Sequence, residues 1–139
     1  MIAALILLAQ MAPVPAEPKP IATTIAAIRA NPKKFDGQIV RLHGYVNSCQ
    51  RLSCAIEERV TTAAGGPGER LSIASDQKFD ATIAPLLPTY VEFNARFDAT
   101  CLIPAANNAI TICSDRAPEL TVVSLRAIVS PEPPPFEGH

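Results

Sequence analysis

The residues best equipped for chemistry are four cysteines and an internal histidine, His43. The cysteines fall as Cys49-x4-Cys54 and Cys101-x11-Cys113. An even set of this kind, in an oxidising compartment, reads as two disulfides, with 49–54 and 101–113 the most local of three connectivities. A zinc site built from all four is the competing chemistry. Structural zinc favours short knuckles such as C-x2-C, and the long second spacing departs from that pattern. His43 is the only histidine apart from the C-terminal residue. A solitary strand histidine is an ordinary surface or barrel-wall residue more often than a ligand.

The remaining chemical signals are sparse. No G-x-S-x-G elbow accompanies His43, so a Ser-His-Asp hydrolase lacks its nucleophile motif. HExxH, EF-hand, P-loop and dinucleotide patterns are also absent from the sequence. No catalytic residue, metal site or cofactor is therefore assigned. Glu57-Glu58-Arg59 is the densest charge cluster. Neighbouring strand residues point to opposite faces, so its two carboxylates should not converge, and a solvated strand end is expected.

Several elements must position these side chains. Gln38 to Cys49 alternates, with Val40, Leu42, Gly44 and Val46 on one face and Arg41, His43, Tyr45 and Asn47 on the other. This pattern predicts a long half-buried strand whose central glycine marks a bulge or bend. Cys54 to Val60 reads as the returning strand across a Gln50–Ser53 loop, and Glu69 to Ser75 as a third strand after a Gly-rich loop. Tyr90 to Ala99 alternates again: Val91, Phe93, Ala95 and Phe97 inward, Glu92, Asn94, Arg96 and Asp98 outward. Leu120 to Val129 is a fifth strand. Ile21, Ile25 and Ile28 predict a short helix ending before Asn31-Pro32. Phe79, Ile83, Leu86 and Leu87 predict another, shortened by Pro85 and Pro88. If the first and fourth strands pair, Arg41, His43, Tyr45, Glu92, Asn94 and Arg96 share one polar surface.

Composition bounds the rest. The 139 residues are 48% hydrophobic and 18% charged, with net charge −1, which fits one folded domain rather than a disordered chain. Without excess Lys and Arg, and with no Trp and few other aromatics, a nucleic-acid role is not expected. Met1 to Ala12 is almost wholly apolar and too short for a membrane span of about 20 residues. It reads as a signal peptide over residues 1–16, with Val14 and Ala16 as the small residues before the cut. The pattern departs from type in having no basic residue before the apolar run. A Pro-rich linker (17–20), a domain of about 110 residues (21–129) and a Pro-rich tail (130–139) follow. A periplasmic or secreted protein without a membrane anchor is the expectation.

The stretch Asn31-Pro32-Lys33-Lys34-Phe35-Asp36-Gly37-Gln38-Ile39-Val40-Arg41-Leu42-His43-Gly44-Tyr45-Val46 resembles the opening of small exported bacterial OB-fold domains. There, an N-P-x-x-(aromatic)-D/N-G turn leads into a V-x-V-x-G-x-V strand. Element order extends the resemblance over 21–129. It implies a mainly β, five-stranded OB-fold-like Greek-key barrel with an N-terminal helix and a short helix between strands three and four. Ligands of such barrels usually lie across strands two and three and the 1–2 and 4–5 loops. Both cysteine pairs would then bracket those loops, stabilising by about 2 and 3 kcal/mol in a chain-entropy picture. Because the loops would be neighbours, a cross-pairing of Cys49 or Cys54 with Cys101 or Cys113 is also open. The resemblance carries no catalytic residues.

On position at the rim, Tyr45, Arg51, Asn107 and Asn108 are the expected ligand-binding residues. The expected function is a non-enzymatic binding module for a protein or polar small molecule. An envelope structural or assembly component is the alternative, with a secreted hydrolase or nuclease behind it.

Overall fold

The computed structural model describes residues 18–50, 53–103 and 119–130. In chain order its elements begin with β1 (Ile21–Ala22), α1 (Ile25–Ala30), α2 (Pro32–Phe35), β2 (Ile39–Val46) and β3 (Cys49–Gln50). Next come β4 (Ser53–Glu57), α3 (Val60–Ala63), β5 (Arg70–Ser72) and α4 (Gln77–Ile83). A 3-10 turn (Ala84–Leu86), β6 (Thr89–Phe97) and β7 (Leu120–Ala127) complete the set.

Alternating side chains make β2 and β6 the spine of the sheet. They pair antiparallel from Ile39 opposite Arg96 to Val46 opposite Thr89, without a break in register. β7 pairs antiparallel with β6, β4 with β2, and β5 with β4. A parallel bridge from Ile73 to Leu120 draws the free ends of this β5-β4-β2-β6-β7 order towards each other. The result is a mainly β molecule whose antiparallel sheet curls into a half-barrel. Buried Glu119 supports the seam, accepting a hydrogen bond from the Ser72 amide at 2.6 Å. The Ala74 amide donates to the Leu120 carbonyl at 2.7 Å beside it.

Inside the curl, Leu42, Ile56, Leu71, Phe93, Phe97 and Leu120 are fully buried. Each such side chain contributes about 1.5–3 kcal/mol on leaving water. α1 adds Ile25 and Ile28 to this core, and α4 adds Phe79 and Ile83. Both helices start at a side-chain cap. Thr24 Oγ1 accepts from the Ala27 amide, and Asp76 Oδ1 accepts from the Lys78 and Phe79 amides.

Three departures from the sequence pattern have identifiable causes. Ile21 lies outside α1, because the chain after Pro20 pairs in parallel with Val40 and Arg41 as β1. The returning strand stops at Glu57, and Val60–Ala63 turns as α3 instead, ending at Gly65 with φ +91°. Gly44 is not a bulge. Its missing side chain lets β4 approach closely: a Cβ there would collide with the Ile56 side chain and lie 2.7 Å from the Glu57 carbonyl oxygen. The bulge lies in β7, where Ser124 faces Asn94 and Val122 faces Ala95, leaving Val123 as the extra residue.

Cys49 and Cys54 face each other across the β3–β4 pair and form a disulfide. That bond excludes both the four-cysteine zinc site and the cross-loop pairing. Cys101 is disulfide-bonded as well, while Cys113 lies outside the described residues. Such bonds suit an oxidising compartment. No helix among the described residues is long and apolar enough to cross a membrane. The expected signal peptide (1–16) and most of the expected tail (131–139) lie outside the described residues.

Candidate functional site

The outward face of β2, β6 and β7 carries a ladder of polar side chains set by register. His43, Glu92 and Arg126 form one row and Arg41, Asn94 and Ser124 another. In the first row, Arg126 Nε donates to Glu92 Oε1 at 2.9 Å, and His43 Nε2 lies 2.5 Å from Glu92 Oε2. These two bonds hold the Glu92 carboxyl down at about 2, so it is an acceptor and His43 Nε2 is the donor. No hydroxyl or thiol among the described residues hydrogen-bonds His43.

Glu92 is less acidic in the unfolded chain than in the folded one, which fixes the sign of its pH effect. Its contribution is complete above its ordinary value of 4.5 and is lost as the pH falls towards about 2. Acid titrations of the wild type and Glu92→Gln followed by circular dichroism are expected to diverge in that window. The variant should show the flatter stability profile.

The second row is tied edge to edge. Arg41 Nε donates to Asn94 Oδ1 at 3.2 Å, and Asn94 Nδ2 donates to Ser124 Oγ at 3.2 Å. Diagonally across from Arg41, Arg96 donates through Nη1 to the Gly37 carbonyl at 3.4 Å. The turn that carries Gly37 is itself anchored: Asp36 Oδ1 accepts from the Ala99 amide, and the Gly37 amide bonds the Phe97 carbonyl. Gly37 adopts φ +74°, which a glycine takes without strain.

Beside this row runs a groove of about 620 Å³, within the size range of small-molecule sites. Pro18, Lys19 and Pro20 border it together with Ile39, Arg41, Asn94, Arg96, Val123 and Ser124. The β7 bulge brings Val123 to this border, leaving it 62% exposed. A smaller depression of about 240 Å³ continues past Asn94 and Ser124 to Glu92 and Arg126.

Tyr45 shares this face but sits two rows from Arg41, its ring 5.3 Å from that of Tyr90. It does not border the groove. Arg51, Asn107 and Asn108 lie outside the described residues. The surface expected from pairing the first and fourth strands is present: Arg41, His43, Tyr45, Glu92, Asn94 and Arg96 are joined through the β2–β6 register. Sequence reading missed Lys19 and Val123. Lys19 falls in a Pro-rich stretch, and Val123 reaches the groove only because of the bulge.

Glu57 corrects the expectation of a solvated strand end. It is buried at 6% exposure, with Oε1 3.6 Å from Arg70 Nη1 and Oε2 without a partner among the described residues. Loss of hydration raises its pKa, and the Arg70 charge opposes that only in part. A carboxyl raised on folding is a growing penalty as pH rises from 4.5 through its folded value. Urea denaturation is expected to show the wild type losing stability relative to Glu57→Gln as the pH rises above 4.5.

Among the described residues, no cluster of three or more His, Cys, Asp and Glu side chains is placed to hold a metal ion. No protein-family model, curated protein or solved structure matches this chain.

Proposed function

We propose that the chain is an exported OB-fold module that binds a polar small molecule without transforming it. Five of its strands, β2, β4, β5, β6 and β7, follow the 1–2, 2–3, 1–4 and 4–5 antiparallel pairings of such a barrel. The Ile73–Leu120 parallel bridge supplies the 3–5 contact, and α4 falls between the third and fourth strands. The disulfides fit the periplasm or the cell exterior.

The observation that carries the functional reading is the groove beside the Arg41–Asn94–Ser124 row. Its polar groups are already oriented by one another, which lowers the ordering cost of capturing a ligand. We place the working surface on the outer face of β2, β6 and β7; of the rim residues expected to bind, Arg51, Asn107 and Asn108 lie outside the described residues.

The test is native mass spectrometry of the purified protein after incubation with a mixed pool of polar metabolites. A retained adduct that is released at unchanged mass supports a binding module. A released species of altered mass indicates an enzyme, and the absence of any adduct contradicts small-molecule binding.

A further inference from the structure

We infer that the groove takes an organic anion: a carboxylate or phosphate head on a short apolar body. This rests on the binding-module reading and deepens it by naming the ligand's chemistry. Three cations, Lys19, Arg41 and Arg96, border the groove, and among the described residues no carboxylate does. This is unusual for a protein of net charge −1. Elsewhere three of its four described arginines have acids at hand, Arg29 with Glu69, Arg70 with Glu57 and Arg126 with Glu92, and Arg59 is the exception. Among the described residues, none of the three groove cations has a carboxylate within 4.0 Å.

The two arginines are held for the task rather than left loose. Arg41 spends Nε on Asn94, and Arg96 spends one Nη1 hydrogen bond on the Gly37 carbonyl. Each keeps further N–H donors in the fixed fork that matches carboxylate and phosphate oxygens. Asn94 and Ser124 lock the first fork from behind. The rest of the border is apolar: Pro18, Pro20, Ile39 and the bulged Val123. Charge at one part and hydrocarbon at another select an amphiphilic anion over a sugar, a cation or a bare ion.

Calorimetry of the full chain at low ionic strength tests this with four probes of one apolar body: octanoate, octyl phosphate, octanol and octylammonium. Octanoate or octyl phosphate should bind at least about tenfold more tightly than octanol or octylammonium. The stronger of the two anions identifies the preferred head. Arg41→Gln with Arg96→Gln should weaken that anion by about tenfold or more. Lys33→Gln with Lys34→Gln, an equal change of charge outside the groove, should leave it unchanged. If octanol binds as well as the anions, or the arginine pair can be replaced without loss, the anion inference falls and the binding module stands. If no probe binds, the anion inference falls, and the binding module stands or falls on the adduct measurement with polar metabolites.

Discussion

Replacing Phe93 by alanine is expected to cost about 4 kcal/mol, the middle of the range for truncating a buried aromatic. Phe93 is 1% exposed at the middle of β6, with Leu42 its register partner on β2 and Leu125 on β7. Its ring therefore lies where the three strands share one core, and the surrounding backbone is too fully paired to collapse into the space. For a domain stabilised by about 5–15 kcal/mol, such a loss removes much of the margin. The chain has no Trp, so the measurement is urea denaturation followed by far-ultraviolet circular dichroism. The midpoint should fall sharply with the slope unchanged. A shift equivalent to less than about 1 kcal/mol would mean that the β2–β6–β7 core is not packed as described.

Gly44→Ala is expected to cost about 3 kcal/mol by the opposite mechanism, overfilling rather than emptying. The added methyl would overlap Ile56 and sit 2.7 Å from the backbone oxygen of Glu57. A side chain can swing aside, but the carbonyl cannot move without pulling β4 away from β2, which the two strands share only around Tyr45 and Glu57. The same denaturation assay checks it. Valine at this position should be worse than alanine, and a neutral result for alanine would rule out the close approach of β4.

These two positions also show what sequence can convey. Alternation over 38–49 and 90–99 exposes the inward residues, Phe93 among them, and collects Arg41, His43, Glu92, Asn94 and Arg96 on one face. Period-two patterning carries that information because both strands bury one side only. Gly44 was visible as an anomaly, but its cause was not. A glycine that bends a strand and a glycine that admits a neighbour look alike until the neighbour is placed. Glu57 reads as part of a solvated strand end over Cys54 to Val60, whereas the chain turns as α3 from Val60, and the burial of Glu57 depends on tertiary packing that no local pattern shows. Ile21 fits a helical period by coincidence of spacing, while Pro20 and the free edge of β2 favour pairing.

The groove was the least legible feature. Its cations come from three separated places, Lys19 before β1, Arg41 on β2 and Arg96 on β6, and only the register makes them neighbours. The N-P-x-x-F-D-G turn was recognisable as a motif. Its contribution to the site, offering the Gly37 carbonyl to Arg96, emerges only once the turn is tied to Phe97 and Ala99.

We propose the outer face of β2, β6 and β7 as the working surface. Amide chemical-shift mapping of the full chain with octanoate tests it most directly. Perturbations are expected at Ile39 to His43, Glu92 to Arg96 and Thr121 to Ser124, with Lys19 among them. Perturbations confined to Arg51 and to residues 104–118, with that face silent, would contradict it.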